Sequence, residues 1–266
     1  MAFTSAQENS IEATLRNSLR NKFKNYQPEP ASMPFHTRLL GKDRMALFSF
    51  IHSLNTNFGT TIFEPVALAL AATTFKEAKA QASAGTQISE SSQRVIQNIM
   101  DDLTITNRQP NKHQEIEAIR KVCQTGNMKK IKLTKIDIWL QGHDNQLYLF
   151  DIKTAKPNKG AFKEFKRTLL EWTASVLAEN PQANINTLIA IPYNPYEPKP
   201  YSRWTMAGML DLQNELKVAD EFWDFLGGKG AYLQLLDIFE RVGIELRPEI
   251  DAYVARYTLA SVARKP

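Results

Sequence analysis

The strongest constraint on this chain is a change of hydrophobic period partway along it. Before about residue 123, apolar residues recur at helical spacing, as Ile11, Leu15, Leu19 and Phe23 do within Ser5–Lys24. From Lys130 they alternate instead, Ile131, Leu133 and Lys135 against Lys132, Thr134 and Ile136. The run Gly142-His143-Asp144-Asn145 is a turn, and Leu147–Lys153 is a second strand. Their proximity predicts an antiparallel hairpin. Phe162–Glu179 follows as a helix with Phe165, Leu169, Trp172 and Val176 on one face, and Ile185–Ile191 then reads as a buried central strand.

Around this centre the chain predicts further elements. Helices are expected over Asp43–Leu54, Phe63–Gln81, Ile88–Leu103 and 113–123, with a turn over Asn55–Thr61. Tyr26–Pro34 is a proline-rich arm and Pro195–Arg203 a proline-stiffened loop. Glu215–Val218 is a last strand, and Glu221–Leu226, Ala231–Val242 and Pro248–Leu259 are helices. The fold class expected is α/β, a mixed central sheet flanked by helices with a helical N-terminal part. That part spans 1–125, packed on a core of 126–266 to make one compact domain.

Composition narrows the classes. A hydrophobic fraction of 43% fills a real core. A net charge of +5 favours a polyanionic partner without proving one. Cys123 is the only cysteine, which rules out an internal disulfide and a cysteine zinc site and fits a reducing cytoplasm. Met1–Gln7 lacks the features of a signal peptide, and the longest apolar stretch, Val66–Ala72, is too short to span a bilayer, so no membrane is expected. No Walker, Gly-x-Gly-x-x-Gly or Gly-x-Ser-x-Gly motif occurs.

The hairpin carries the chemistry. Asp151 and Lys153 are two apart and share a face at the end of an apolar strand. With the turn centred between His143 and Asp144, Asp137 falls opposite Phe150, one residue from Asp151. Alternation would then put the two acids on opposite faces unless a bulge intervenes. Two carboxylates hold Mg²⁺, a hard ion that keeps waters and takes phosphate oxygens. A lysine beside them stabilises charge at a scissile phosphate. Read alone, the same three charges also fit a surface hairpin with a salt bridge.

Other residues are candidates on weaker grounds. Glu64, at the start of an apolar helix, is a dipole-stabilising acid or a third metal-site carboxylate. Lys153, Lys156, Lys159, Lys163, Lys166 and Arg167 follow the acids, with Asn158 and Gly160 opening a helix, and suit DNA phosphates. Glu171 on that helix is a metal-site acid or a surface acid. Asn194, Tyr196, Lys199, Tyr201 and Arg203 could read bases from the proline loop. Arg38, Lys42, Asp43 and Arg44 form a second polar cluster. The four histidines show no metal-ligand spacing.

Asp137, Asp151 and Lys153 resemble the P-D…(D/E)-x-K nuclease core. The segments Met33–Gly41, Phe58–Pro65, Lys132–Ile138, Phe150–Asn158, Ile191–Pro200 and Glu221–Gly227 resemble the TdeIII family of Type II restriction endonucleases, from about residue 30 to 257. The resemblance implies Mg²⁺-dependent cleavage of double-stranded DNA at a short palindrome of the GGNCC type. It also implies a homodimer matched to that palindrome, and a cognate DNA methyltransferase that protects the host site. It carries Asp137, Asp151 and Lys153 over as catalytic residues and Glu64 as a third acid. The sequence departs from the nuclease pattern at Ile136, where proline is usual, and at Asp151, where glutamate is common. A structure-specific repair or junction nuclease of the same core and a non-catalytic DNA-binding module are the alternatives.

Overall fold

The structure, a computed structural model of the chain, describes residues 3–26, 33–153, 156–157, 160–202, 206 and 208–262, without the side chains of 43, 56–57 and 257–262. In chain order the helices and strands are α1 (Ser5–Asn25), α2 (Pro34–Leu40), α3 (Lys42–Phe58), a π-helical turn (Gly59–Phe63), α4 (Glu64–Ala71), β1 (Glu77–Ala82), β2 (Gln87–Ser89), α5 (Glu90–Thr104), α6 (Lys112–Arg120), β3 (Met128–Lys130), β4 (Ile136–Gln141), β5 (Leu147–Ile152), α7 (Ala161–Glu179), β6 (Ile185–Ile191), β7 (Leu216–Val218), α8 (Asp220–Gly227) and α9 (Ala231–Val262). The chain divides into two compact units, residues 1–69 with 233–266, and residues 70–232. The mixed α/β class with a helical N-terminal region is the one expected. Among the described residues no helix is long and apolar enough to cross a membrane.

In the helical unit, Thr4 and Gln7 close a capping box at the start of α1, and Ile11 and Leu15 bury its apolar stripe. Its polar side is tied to α9 by Arg16–Glu245 and Arg20–Glu249 ion pairs, each 2.7 Å. Phe23, Phe50 and Tyr253 stack into an aromatic knot, with Phe50 and Tyr253 centroids 4.7 Å apart.

The sheet unit has strand order β1-β4-β5-β6-β7. β1, β4 and β5 run antiparallel, while β5, β6 and β7 run parallel. On β5 the side chains alternate. Tyr148 and Phe150 meet Phe225 and Phe222 of α8 on one face. Leu147 and Leu149 join the core under α5, α6 and α7 on the other. Helices therefore cover both faces, and β6 is buried at Ile185 and from Thr187 through Ile191, as its apolar run predicts.

Several sequence expectations are corrected. The helix expected over Phe63–Gln81 stops at Ala71, and Glu77–Ala82 is the edge strand β1. Pairing with β4 overrides the helix preference of its alanines. The turn expected at Asn55–Thr61 is helical throughout, because Gly59 takes right-handed helical angles and its carbonyl accepts from Glu64 N–H in a π-type bond. The single strand expected over Lys130–Leu140 is two, β3 and β4, with 131–135 between them. The two C-terminal helices are one, α9, which runs through Pro248. Pro248 is exposed, so the carbonyl it leaves without an N–H faces water.

Candidate active site

The hairpin register decides the site. The loop is Gly142–Gln146, closed by Gly142 N–H donating to Gln146 O at 2.8 Å with Asn145 at φ +63. It is one residue longer than a turn centred between His143 and Asp144, and the pairing becomes Ile138↔Phe150 and Gln141↔Leu147. One further step sets Asp137 opposite Asp151 rather than opposite Phe150. Residues facing each other across a ladder share a face, so the two carboxylates converge without a bulge. Both lie on the α7 side of the sheet.

Each side chain is held. Ile152 N–H donates to Asp137 Oδ2 at 2.8 Å, and Gln81 Nε2 donates to Asp137 Oδ1 at 3.2 Å. Gln81 sits at φ +52, uncommon for a residue with a side chain, between the pairs Ala80↔Ile138 and Ala82↔Ile136. Lys153 Nζ lies 2.6 Å from Asp151 Oδ1 and 5.0 Å over the Phe165 ring. Lys153 N–H continues the parallel ladder to Ala190 O at 2.9 Å, which fixes its backbone to β6.

Asp151 is 6% exposed. Burial pushes its carboxyl up to about 6; Lys153 pulls the other way, and the neighbouring Asp137 adds to the rise. A cleft of about 380 Å³ opens over the pair, lined by Thr134, Lys135, Asp137, Asp151, Lys153, Glu164, Phe165 and Thr168. Thr134 is pinned there by Trp172 Nε1, which donates to its carbonyl at 3.0 Å. Among the described residues no three His, Cys, Asp or Glu side chains form a ready metal cage. The cleft offers the acid pair with the lysine, and its oxygen donors suit a hard dication.

The other expected residues scatter. Lys156 is exposed, its Nζ 5.4 Å over the Tyr196 ring, and Lys163 is exposed in the first turn of α7. Asn158, Lys159 and Arg203 lie outside the described residues. Because β5, β6 and β7 are parallel, the segment after Lys153 and the loop after Ile191 leave the same end of the sheet. In that loop Lys199 is exposed and the Tyr201 ring lies 5.9 Å from that of Tyr196. Asn194 works within it: its Nδ2 donates to Lys199 O at 2.7 Å and its Oδ1 accepts from Tyr196 N–H at 3.0 Å. Glu64, 3% exposed, and Arg38 and Arg44, both exposed, belong to the helical unit. Arg44 Nη1 donates to Leu40 O at 2.8 Å.

Lys166 departs furthest from its place in the basic run. It is fully buried, with Nζ 2.5 Å from Glu115 Oε2 and 2.6 Å from Glu215 Oε2. Lys112 joins the cluster through Glu215 Oε1 at 3.2 Å and the Thr187 hydroxyl. Burial drives the Glu115 carboxyl up and the Lys112 amine down. Arg167 instead bonds Gln97 Oε1 at 2.9 Å. Glu171 is half-buried, and burial raises its carboxyl, with Arg167 opposing. Glu164, Thr168 and Glu171 share a side of α7 by spacing.

Sequence reasoning passed over Gln81, Thr134, Glu164, Phe165 and Thr168. For the last three the signal was present: they sit on the helix that follows the acids, one turn apart. For Gln81 there was none, since its segment read as helix.

A mixed sheet with an acid pair and lysine at the end of a central strand, beside a basic helix start, defines a candidate nuclease. Comparison with known proteins sharpens this. The family model described as "Type II restriction endonuclease, HinfI" matches residues 3–243. Two relatives from Herpetosiphon aurantiacus, the Type II restriction enzymes HgiEI and HgiCII, are 28% and 29% identical; each alignment covers 82% of this chain, and 79% and 80% of the respective relative. The Type II restriction enzyme MjaII of Methanocaldococcus jannaschii is 26% identical over 74% of this chain and 55% of its own length.

The chain belongs to the HinfI family of Type II restriction endonucleases, the class that the resemblance to TdeIII enzymes led us to expect. Enzymes of this class are site-specific deoxyribonucleases that act on double-stranded DNA and generally use a divalent metal ion.

Proposed function

We propose that this endonuclease uses Mg²⁺ to cut both strands of DNA at a short palindrome of the GGNCC type, with Asp137, Asp151 and Lys153 as its catalytic set. The observation that supports the site most directly is the hairpin register that brings Asp137 across from Asp151, with Lys153 Nζ 2.6 Å from the latter. The residues suit the ion. Asp151 is a buried carboxylate whose proton affinity is raised because nearby positive charge is insufficient, and a cation between the two acids would relieve that. When bound, Mg²⁺ supplies Lewis acidity toward a phosphate oxygen and acidifies a coordinated water.

The chain's own groups do the rest. Asp137 and Asp151 offer carboxylate oxygens from adjacent strands, so the rigid sheet sets their spacing. Asp137 is kept from swinging by the Ile152 N–H and Gln81. Lys153 keeps one face of Asp151 paired and presents its ammonium toward the cleft, where a phosphate's charge would be stabilised. Lys156 and Lys163, exposed on the chain just after the set, are proposed to steer and hold the backbone, together with Asn158 and Lys159. Lys199, Tyr201 and Arg203 are proposed for contacts from the loop at the same sheet end, and Arg38 and Arg44 for contacts from the helical unit. Glu64 enters as a third acid from the resemblance alone. A cytoplasmic setting with a cognate methyltransferase completes this reading.

The test is substitution. Asp137→Ala, Asp151→Ala and Lys153→Ala should each abolish cleavage while DNA binding in Ca²⁺ stays measurable. Wild-type cleavage by Asp151→Ala would remove the site assignment.

A further inference from the structure

The helical unit exposes large apolar side chains on two consecutive helices. On α2, Phe35 and Leu39 are one turn apart and each 83% exposed, with Leu40 at 42% beside them. On α3, Leu47, Phe48 and Ile51 are 40%, 52% and 49% exposed, at the spacing of a single helical stripe. The two helices pack against each other and are joined at Gly41, whose φ of +93 permits the sharp turn between them.

At these exposures the six side chains leave on the order of 700 Å² in water. A soluble monomer's largest apolar patch is about 300–600 Å². A stable protein interface buries about 800 Å² per partner. The face is therefore larger than a monomer ordinarily leaves bare and close to what a dimer needs.

We infer that the outward faces of α2 and α3 form a two-fold interface with a second copy of this chain. The inference rests on the reading of the chain as a nuclease that cuts both strands. Each chain brings one Asp137, Asp151 and Lys153 site, and a duplex has two strands of opposite polarity, so a two-fold pair presents one site to each strand. An apolar face is self-complementary under a two-fold axis and needs no second kind of surface. The Arg44 guanidinium, turned back onto the Leu40 carbonyl, keeps its charge at the helix end.

Sedimentation of the full chain without DNA, over a range of concentrations, tests this. The wild type should sediment at the two-chain mass. The double variant Phe35→Glu, Leu39→Glu should sediment at the one-chain mass, its association weakened at least a hundredfold. Because both positions are mostly in water, the variant keeps its fold, which circular dichroism checks. Hydrogen exchange on the wild type is the independent measurement: amides of residues 34–52 should lose protection on dilution through dissociation.

A wild type that cuts both strands in one event as a one-chain species overturns the inference. So does a dimer that survives the double variant or whose 34–52 exchange ignores dilution. A wild-type monomer whose face instead binds anionic lipid vesicles also overturns it. A dimer lost in the variant but inactive on plasmid DNA as wild type keeps the interface and removes the nuclease reading, so the two failures are distinguishable.

Discussion

Asp151 shows most plainly how a residue's surroundings set its chemistry. It is buried, beside a second carboxylate, with one lysine to offset the pair. Its folded pKa of about 6 exceeds the ordinary value of 3.8. Between those two values the folded state binds the extra proton, so the protein loses stability as pH rises through that window. At pH 7 to 8 the ionised group destabilises the metal-free fold by about 1–3 kcal/mol. Asp151→Asn should therefore raise the melting temperature of metal-free protein by a few degrees at pH 7.5, and change it little at pH 4. Scanning calorimetry at the two pH values reads this. A fall in melting temperature at pH 7.5 would mean that the Lys153 pair outweighs burial. The tripeptide Asp-x-Lys was legible in the sequence because it needs only residue type and a spacing of two. The partnership of Asp137 with Asp151 was not. It depends on whether the hairpin loop holds four residues or five, and Asn145, which can adopt positive φ, makes room for the fifth.

At the scale of elements, α7 connects the site to the core. Its exposed side contributes Glu164, Phe165 and Thr168 to the cleft, and its buried side inserts Lys166 between Glu115 of α6 and Glu215 ahead of β7. Two lysines and two glutamates balance there in formal charge, out of water. Removing one member leaves an uncompensated charge, so Lys166→Met should destabilise the fold by about 3–5 kcal/mol in urea unfolding. Lys163→Met, on an exposed turn of the same helix, should move stability by no more than about 0.5 kcal/mol. Equal effects would mean that the buried cluster adapts. In the sequence these lysines looked alike, because a run of positive charge does not say which side chain finds acids from distant elements. The same blindness hid β1. Glu77–Ala82 carries helix-favouring alanines and becomes a strand only because β4 offers an edge. The long helix α7 and the central strand β6 were legible, since an apolar stripe and an apolar run bounded by Pro192 each leave one reading.

For the whole molecule, the parallel run of β5, β6 and β7 matters most. It sends the segment after Lys153 and the loop after Ile191 out of one end of the sheet, so a single DNA surface can meet both the cutting set and Lys199 and Tyr201. The family match across residues 3–243 fixes the class. Metal, sequence and stoichiometry are the parts of the account that experiment must supply. The central claim is that the acid pair and lysine serve a sequence-specific cut. The most direct measurement is a sequenced digest of one plasmid by the wild-type chain with Mg²⁺. The account predicts discrete fragments whose ends all fall at one short palindrome of the GGNCC type, and no cutting when the ion is chelated. Intact plasmid with Mg²⁺ present, or nicks placed by DNA structure without regard to sequence, would contradict it.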